Sequence, residues 1–206
     1  MSVRGGAGAL VLVLAGVAAC DGGASSPTPS VAVPTALVTV APSATAVAER
    51  TPLSSELVSL VAPAGWAYTV TEPGQIGLHH AEFDITVLVA AALQQTPTGL
   101  ADAVAAHRDA TLAAVGGEVC DERETQSVLP VPGRVTFICH PRPGAASESL
   151  VTSQLVGVSA DGMIVYTILS QAAEATAAEA FDLVEVAIFP TVRWTYTSDP
   201  RIGTAP

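Results

Sequence analysis

Apolar and polar positions change period along this chain, and the changes mark out its elements. "ELVSLVAPAGWAY", residues Glu56 to Tyr68, reads as a strand, a Pro-Ala-Gly turn and a second strand opening at Trp66. "QIGLHH" and "EFDITVLVAAAL" follow as strands. In the latter, Phe83, Ile85, Val87 and Val89 fall on one face and Asp84 and Thr86 on the other, the period of two expected of a half-buried strand. Helical spacing then takes over in "TGLADAVAAHRDATLAAVGG", where Leu100, Val104, Thr111 and Val115 fall near one face. Thr98 is the expected N-cap and Gly116 the expected C-cap.

Strand patterns return in "EVCDERETQSVL" and "RVTFICH", joined through "PVPG" as a hairpin. Two more, "SLVTSQLVGVS" and "MIVYTILSQ", meet at Ala160-Asp161-Gly162, where Asp-Gly favours a short turn. The last element is a helix from about Thr176 to Phe189. Thr176 and Glu179 have capping-box spacing, and Pro190 stops the helix before "TVRW". Strands, one helix, about four strands and a closing helix predict an α+β domain over residues 52–196, an antiparallel β-sheet with two main helices packed on it. Residues 197–206 are expected to be a disordered tail.

Upstream of the domain the pattern is different. Arg4 supplies a short basic region and Ala7 to Ala19 an apolar one, which is the layout of a secretory signal peptide over residues 1–19. The apolar run is shorter than the ~20 residues of a membrane-spanning helix. Residues 20–51 follow, rich in Ser, Thr, Pro, Ala and Val. Prolines at positions 27, 29, 34 and 42 interrupt any regular element, so the segment is expected to be a flexible linker.

In Val17-Ala18-Ala19-Cys20 the junction resembles the lipobox of bacterial lipoproteins. The resemblance implies cleavage before Cys20, a diacylglycerol on its thiol, an acylated amine and an anchor on the outer face of the cell membrane. The domain in turn resembles the PsbP-like fold of actinobacterial lipoproteins, including type VII secretion-associated ones. The residues that carry this are "APAGW", "TPTGLADAVAA", "GRVTFI", "DGMIVYTIL" and "AFDLVEVAIFPTVRW". It implies a binding or assembly module and brings no catalytic motif.

Composition narrows the chemistry. The chain has 206 residues, with 8 basic against 19 acidic and a net charge of −11. Every basic residue is Arg, and Lys and Asn are absent. That excludes a Walker A loop, a Ser-x-x-Lys acylase and a pyridoxal Schiff base. Nucleic acid is excluded as a partner, because its phosphates demand clustered cations. No cofactor is expected.

With the domain outside the cytoplasm, Cys120 and Cys139 are expected to form a disulfide. Zinc held by Cys139 and His140 is the rival, but it lacks a full ligand set. His79, His80, Glu82 and Asp84 carry metal-ligand chemistry, with His79 and Glu82 the weak candidates. Neighbours on a strand point to opposite faces, so one packed and one solvated His is the simpler reading, and no metal is expected. His107 is expected to pack, half-buried, against the first helix's apolar side. "GVSADG" around Ser159 has half of a nucleophile elbow and reads as a plain turn.

The whole predicts a membrane-anchored, extracytoplasmic, non-enzymatic binding or accessory module in the cell envelope, with an envelope or secretion protein as partner. A carrier of a small apolar ligand or lipid is the alternative, and an envelope hydrolase comes third.

Overall fold

A computed structural model of the protein describes residues 46–71, 75–125, 129 and 131–194. The signal peptide, Cys20, most of the linker and the tail over 197–206 lie outside the described residues.

Among the described residues, ten strands and two α-helices follow one another: β1 (Thr51–Ser54), β2 (Val58–Ala62), β3 (Trp66–Thr71), β4 (Gln75–His80), β5 (Ile85–Leu93), α1 (Leu100–Val115), β6 (Glu118–Thr125), β7 (Gly133–Arg142), β8 (Ala145–Val158), β9 (Ile164–Ala173), α2 (Ala177–Ala187) and β10 (Arg193–Trp194). The fold is α+β, with antiparallel sheets throughout. Seven strands form one sheet in the order β3-β4-β5-β9-β8-β7-β6. β1, β2 and β10 form a second, where one sheet was expected. The second sheet escaped the sequence pattern because β10 has two residues and pairs with β2 across most of the chain, Arg193 opposite Ser59 and Trp194 opposite Val58.

The register sorts the large sheet into two covered faces. One carries Ile76, Leu78, Val87, Val89, Leu155, Tyr166 and Ile168, packed in one cluster with Val58 and Leu60 of the small sheet, Ala180 and Val184 of α2, and Ile188 just after it. Trp66 and Tyr166 are its largest fully buried side chains, and Trp194 stands edge-on to Tyr166 with ring centroids 5.0 Å apart. The other face meets α1 through a smaller cluster of Ala103, Val104, Val156 and Val165. Both faces of β5 are therefore buried, Leu88 and Ala90 as well as Val87 and Val89, so the expected alternation gives way to a continuous apolar run.

Several local expectations shift. Phe83 and Asp84 precede β5 in a turn, with Asp84 at φ 45°, and Arg142 pairs with Asp84 at 2.7 Å and with Glu148 at 2.8 Å. The N-cap of α1 is Gly99, with no side-chain cap bond, because the helix begins at Leu100, one residue later than expected; Thr98 lies outside it and donates its backbone N–H to the Gly162 carbonyl at 3.0 Å. Thr176 does precede α2, but its hydroxyl donates to the Ala173 carbonyl at 3.4 Å, and no capping box forms. α2 stops at Ala187, ahead of the expected Phe189, and a 3-10 turn containing Pro190 spans Phe189–Thr191.

Candidate functional site

The layer between α1 and the large sheet is where buried polar chemistry collects. Along β8, Thr152, Gln154 and Val156 point to the α1 side, paired across to Gln171, Leu169 and Thr167 on β9 and, for Gln154, to Thr136 on β7. α1 lays Ala103, Val104 and His107 inward, the i, i+1, i+4 part of one helix face. His107 is 1% exposed, so the half-buried packing role expected for it is corrected to full burial. One turn further on, the Thr111 hydroxyl accepts from Gln154 Nε2 at 3.1 Å and fixes the helix over that strand.

Among the described residues, three buried polar atoms in this layer have no hydrogen-bond partner: His107 Nε2, Gln154 Oε1 and Thr167 Oγ1. Gln154 and Thr167 are diagonal neighbours across β8 and β9. Burial lowers the His107 pKa from 6.5 to about 4, because the interior disfavours the imidazolium. Toward the far end of the same face, His140 has its Nδ1 on the Pro141 carbonyl at 3.2 Å. That bond assigns the proton to Nδ1 and leaves Nε2 to accept from the Thr152 hydroxyl at 3.0 Å and Gln171 Nε2 at 3.2 Å. Gln171 also donates to Thr152 Oγ1 at 3.0 Å, which closes the ring of contacts. The His140 pKa is lowered by burial, against the Pro141 carbonyl, which favours the protonated ring.

Cys120 and Cys139 are joined, with Cα atoms 5.9 Å apart. The bond crosses the β6–β7 pair beside a register shift between Val119 and Asp121. Cys139 and His140 point to opposite faces of β7, so they do not converge on one ion. The chain-entropy estimate for a separation of 19 residues is at most about 3 kcal/mol. The hairpin closes the same loop by backbone pairing, so the double substitution Cys120→Ser/Cys139→Ser is expected to lower unfolding free energy by about 2 kcal/mol. Urea titration with and without reductant checks this, and equal midpoints for the wild type in both would count against it.

The other sequence candidates separate. His79 approaches the Thr86 hydroxyl at 3.4 Å on the α1 side of the sheet. His80 is on the opposite face, 5.1 Å from the Trp66 ring and 5.5 Å from Phe83. Both imidazoles are half-buried and Glu82 is exposed. Among the described residues no group of three His, Cys, Asp or Glu could hold a metal ion. Ser159 donates to Asp161 Oδ1 at 2.6 Å and accepts from the Ile164 amide at 2.9 Å, so its hydroxyl organises the β8–β9 turn. An open groove of about 440 Å³ lies on the outer face of the small sheet, between Pro52, Val61 and Pro190.

Sequence reading missed Gln154, Thr136, Thr152 and Thr167 as members of a site. For Thr152 and Gln154 the signal was present as polar residues at alternate positions of "SLVTSQLVGVS", on the face that a buried central strand would fill with apolar side chains; Thr136 in "RVTFICH" and Thr167 in "MIVYTILSQ" are single polar residues within apolar stretches.

No protein-family model matches the sequence, and no curated protein is significantly similar to it. Solved structures resemble its shape. LpqN of Mycobacterium tuberculosis, involved in cell envelope biogenesis, is 12% identical with a TM-score of 0.49, over 72% of this chain and 91% of that one. The Ran-binding protein Mog1p of Saccharomyces cerevisiae is 9% identical with a TM-score of 0.49, over 76% and 99%. A protein of Bacteroides thetaiotaomicron is 8% identical with a TM-score of 0.48, over 74% of this chain, which spans about half (51%) of that protein's length.

Proposed function

We propose that this chain is a lipid-anchored, extracytoplasmic module whose domain binds a partner in the cell envelope and carries out no reaction itself. The observation that supports it is the Cys120–Cys139 bond. Disulfides of this kind persist where thiols oxidise, outside the cytoplasm. The pairing also uses two of three cysteines, and the third, Cys20, ends an apolar run at the position where a lipoprotein carries its acyl groups. Each buried methylene contributes roughly 0.8 kcal/mol, so two or more chains hold a protein to a bilayer stably. The linker then sets the reach: about 30 residues of flexible coil give roughly 30 Å. Cleavage before Cys20 removes Arg4 and leaves 7 basic against 19 acidic residues, or −12, which suits a partner other than an anionic polymer.

Cys20→Ala is expected to move the protein from the membrane pellet to the soluble fraction, and the mass of the wild-type N-terminal peptide to show acyl chains on Cys20. Retention of the variant in salt-washed membranes, or an unmodified Cys20, would overturn the anchor. The binding role is tested separately by crosslinking in the native membrane, where a specific envelope protein is expected to be captured by the wild type.

A further inference from the structure

Three buried polar residues under α1 each end on an atom that no described group satisfies. His107, Gln154 and Thr167 are 1%, 2% and 3% exposed, and the atoms are His107 Nε2, Gln154 Oε1 and Thr167 Oγ1. Nearly all buried polar groups in folded proteins are hydrogen-bonded, because an unpaired one loses its bonds to water and gains none. Three in one layer point to a shared partner rather than to three separate losses.

Register and helix contacts bring the three side chains to one place. On the sheet, Val156 pairs with Thr167 and Gln154 with Leu169, so Gln154 and Thr167 are diagonal neighbours on the α1 side. On the helix, Ala103 and Val104 pack on Val156 and Val165, and the Thr111 hydroxyl accepts from Gln154 Nε2 at 3.1 Å. His107 lies one turn from Ala103 and one turn from Thr111 on the same stripe, which sets it between the Val156 and Gln154 contacts. The bond to Thr111 also decides which end of the Gln154 amide remains, its oxygen. His107's neighbours on the helix face, Ala103, Ala106 and Ala110, are all small.

We infer that His107 Nε2, Gln154 Oε1 and Thr167 Oγ1 are the partners of one internal water molecule, which joins α1 to β8 and β9. Its hydrogen bonds balance. The water donates to the Gln154 oxygen, which can only accept, and keeps one donor and two lone pairs for the Thr167 hydroxyl and for the imidazole nitrogen in either tautomer. About three bonds is the usual number for a buried water. Size and charge argue against other occupants. Each atom is closed off from solvent, and Ala103, Val104, Val156 and Val165 wall the layer at one end. No carboxylate or Arg is among the described buried residues, so an ion there would lack a counter-charge.

A crystal structure of the full, detergent-solubilised chain checks the site directly, with an ordered water expected at about 2.6–3.2 Å from all three atoms. An empty site, or a His107 ring turned to bond Gln154 Oε1 itself, would overturn the inference. Thr167→Val gives a second reading in solution, by urea titration. The two side chains have nearly the same shape, so losing an unpaired hydroxyl would raise the midpoint or leave it unchanged, whereas losing a partner of the water lowers it. A lower midpoint is expected, with a smaller drop when the change is made in Gln154→Met, where the water has already lost one partner. A midpoint that stays or rises in Thr167→Val, or equal drops in the two backgrounds, would count against a shared water.

Discussion

Gly117→Ala is expected to be the most destabilising single-methyl addition in this domain. Gly117 has φ 89°, a conformation that disfavours any side chain, and a Cβ built there falls on the Cys139 carbonyl oxygen, 2.6 Å from His140 Cβ and 2.9 Å from His140 Cα. Two of the three contacts are backbone atoms of β7, paired on both sides by β6 and β8. That backbone cannot move without disturbing the disulfide on one face and the His140–Thr152–Gln171 contacts on the other. The expected cost is therefore at or above about 4 kcal/mol, where single substitutions become exceptional. Gly116 supplies the control. It also has positive φ, at 73°, but a Cβ there meets nothing within 4 Å, so Gly116→Ala is expected to cost about 1 kcal/mol. Urea titration of both variants measures the difference. Equal midpoints would show that the link from α1 to β6 gives way, and the close packing of Gly117 would not then be a constraint.

What was legible in the sequence was local, and what was hidden was paired across distance. The β6–β7 hairpin, the β8–β9 turn at Asp161-Gly162, and α1 with its Gly116 terminus each follow from residues adjacent in sequence. The strand formed by Thr51–Ser54 and the two-residue strand at Arg193–Trp194 gain their structure only from β2 between them, and neither has a period of its own. Capping residues misled for a related reason. Thr98 and Thr176 have cap chemistry, but α1 begins one residue too late for Thr98, whose backbone is tied to Gly162, and the Ala173 carbonyl takes the Thr176 hydroxyl. The polar layer was legible only in part. His107 is visible on its helix, but that it lies over Gln154 depends on how α1 crosses β8, which no short-range pattern encodes.

Acid is expected to destabilise this domain through His107 more than its one imidazole would do at an exposed site. Well above pH 6.5, the residue is neutral in the folded and unfolded chains alike and contributes no pH dependence. Below pH 6.5 the unfolded chain takes up a proton at His107 that the folded chain refuses until about pH 4, so stability falls across that window. At about 1.4 kcal/mol per unit, the interval corresponds to a loss of about 3 kcal/mol by pH 4. His140, also lowered by burial, acts in the same direction. Carboxylates titrate in both the wild type and a variant, so the difference between the two isolates the imidazole. His107→Gln keeps a polar side chain and removes the proton site, so its unfolding free energy, followed by urea titration from pH 7 to pH 4, is expected to fall less steeply than that of the wild type. His140, lowered by burial, contributes to the slope that remains, and adding His140→Gln is expected to reduce it further. Parallel curves for wild type and His107→Gln would mean that the layer under α1 accepts an imidazolium. The neutral, buried His107 would then have no part in holding the helix to the sheet.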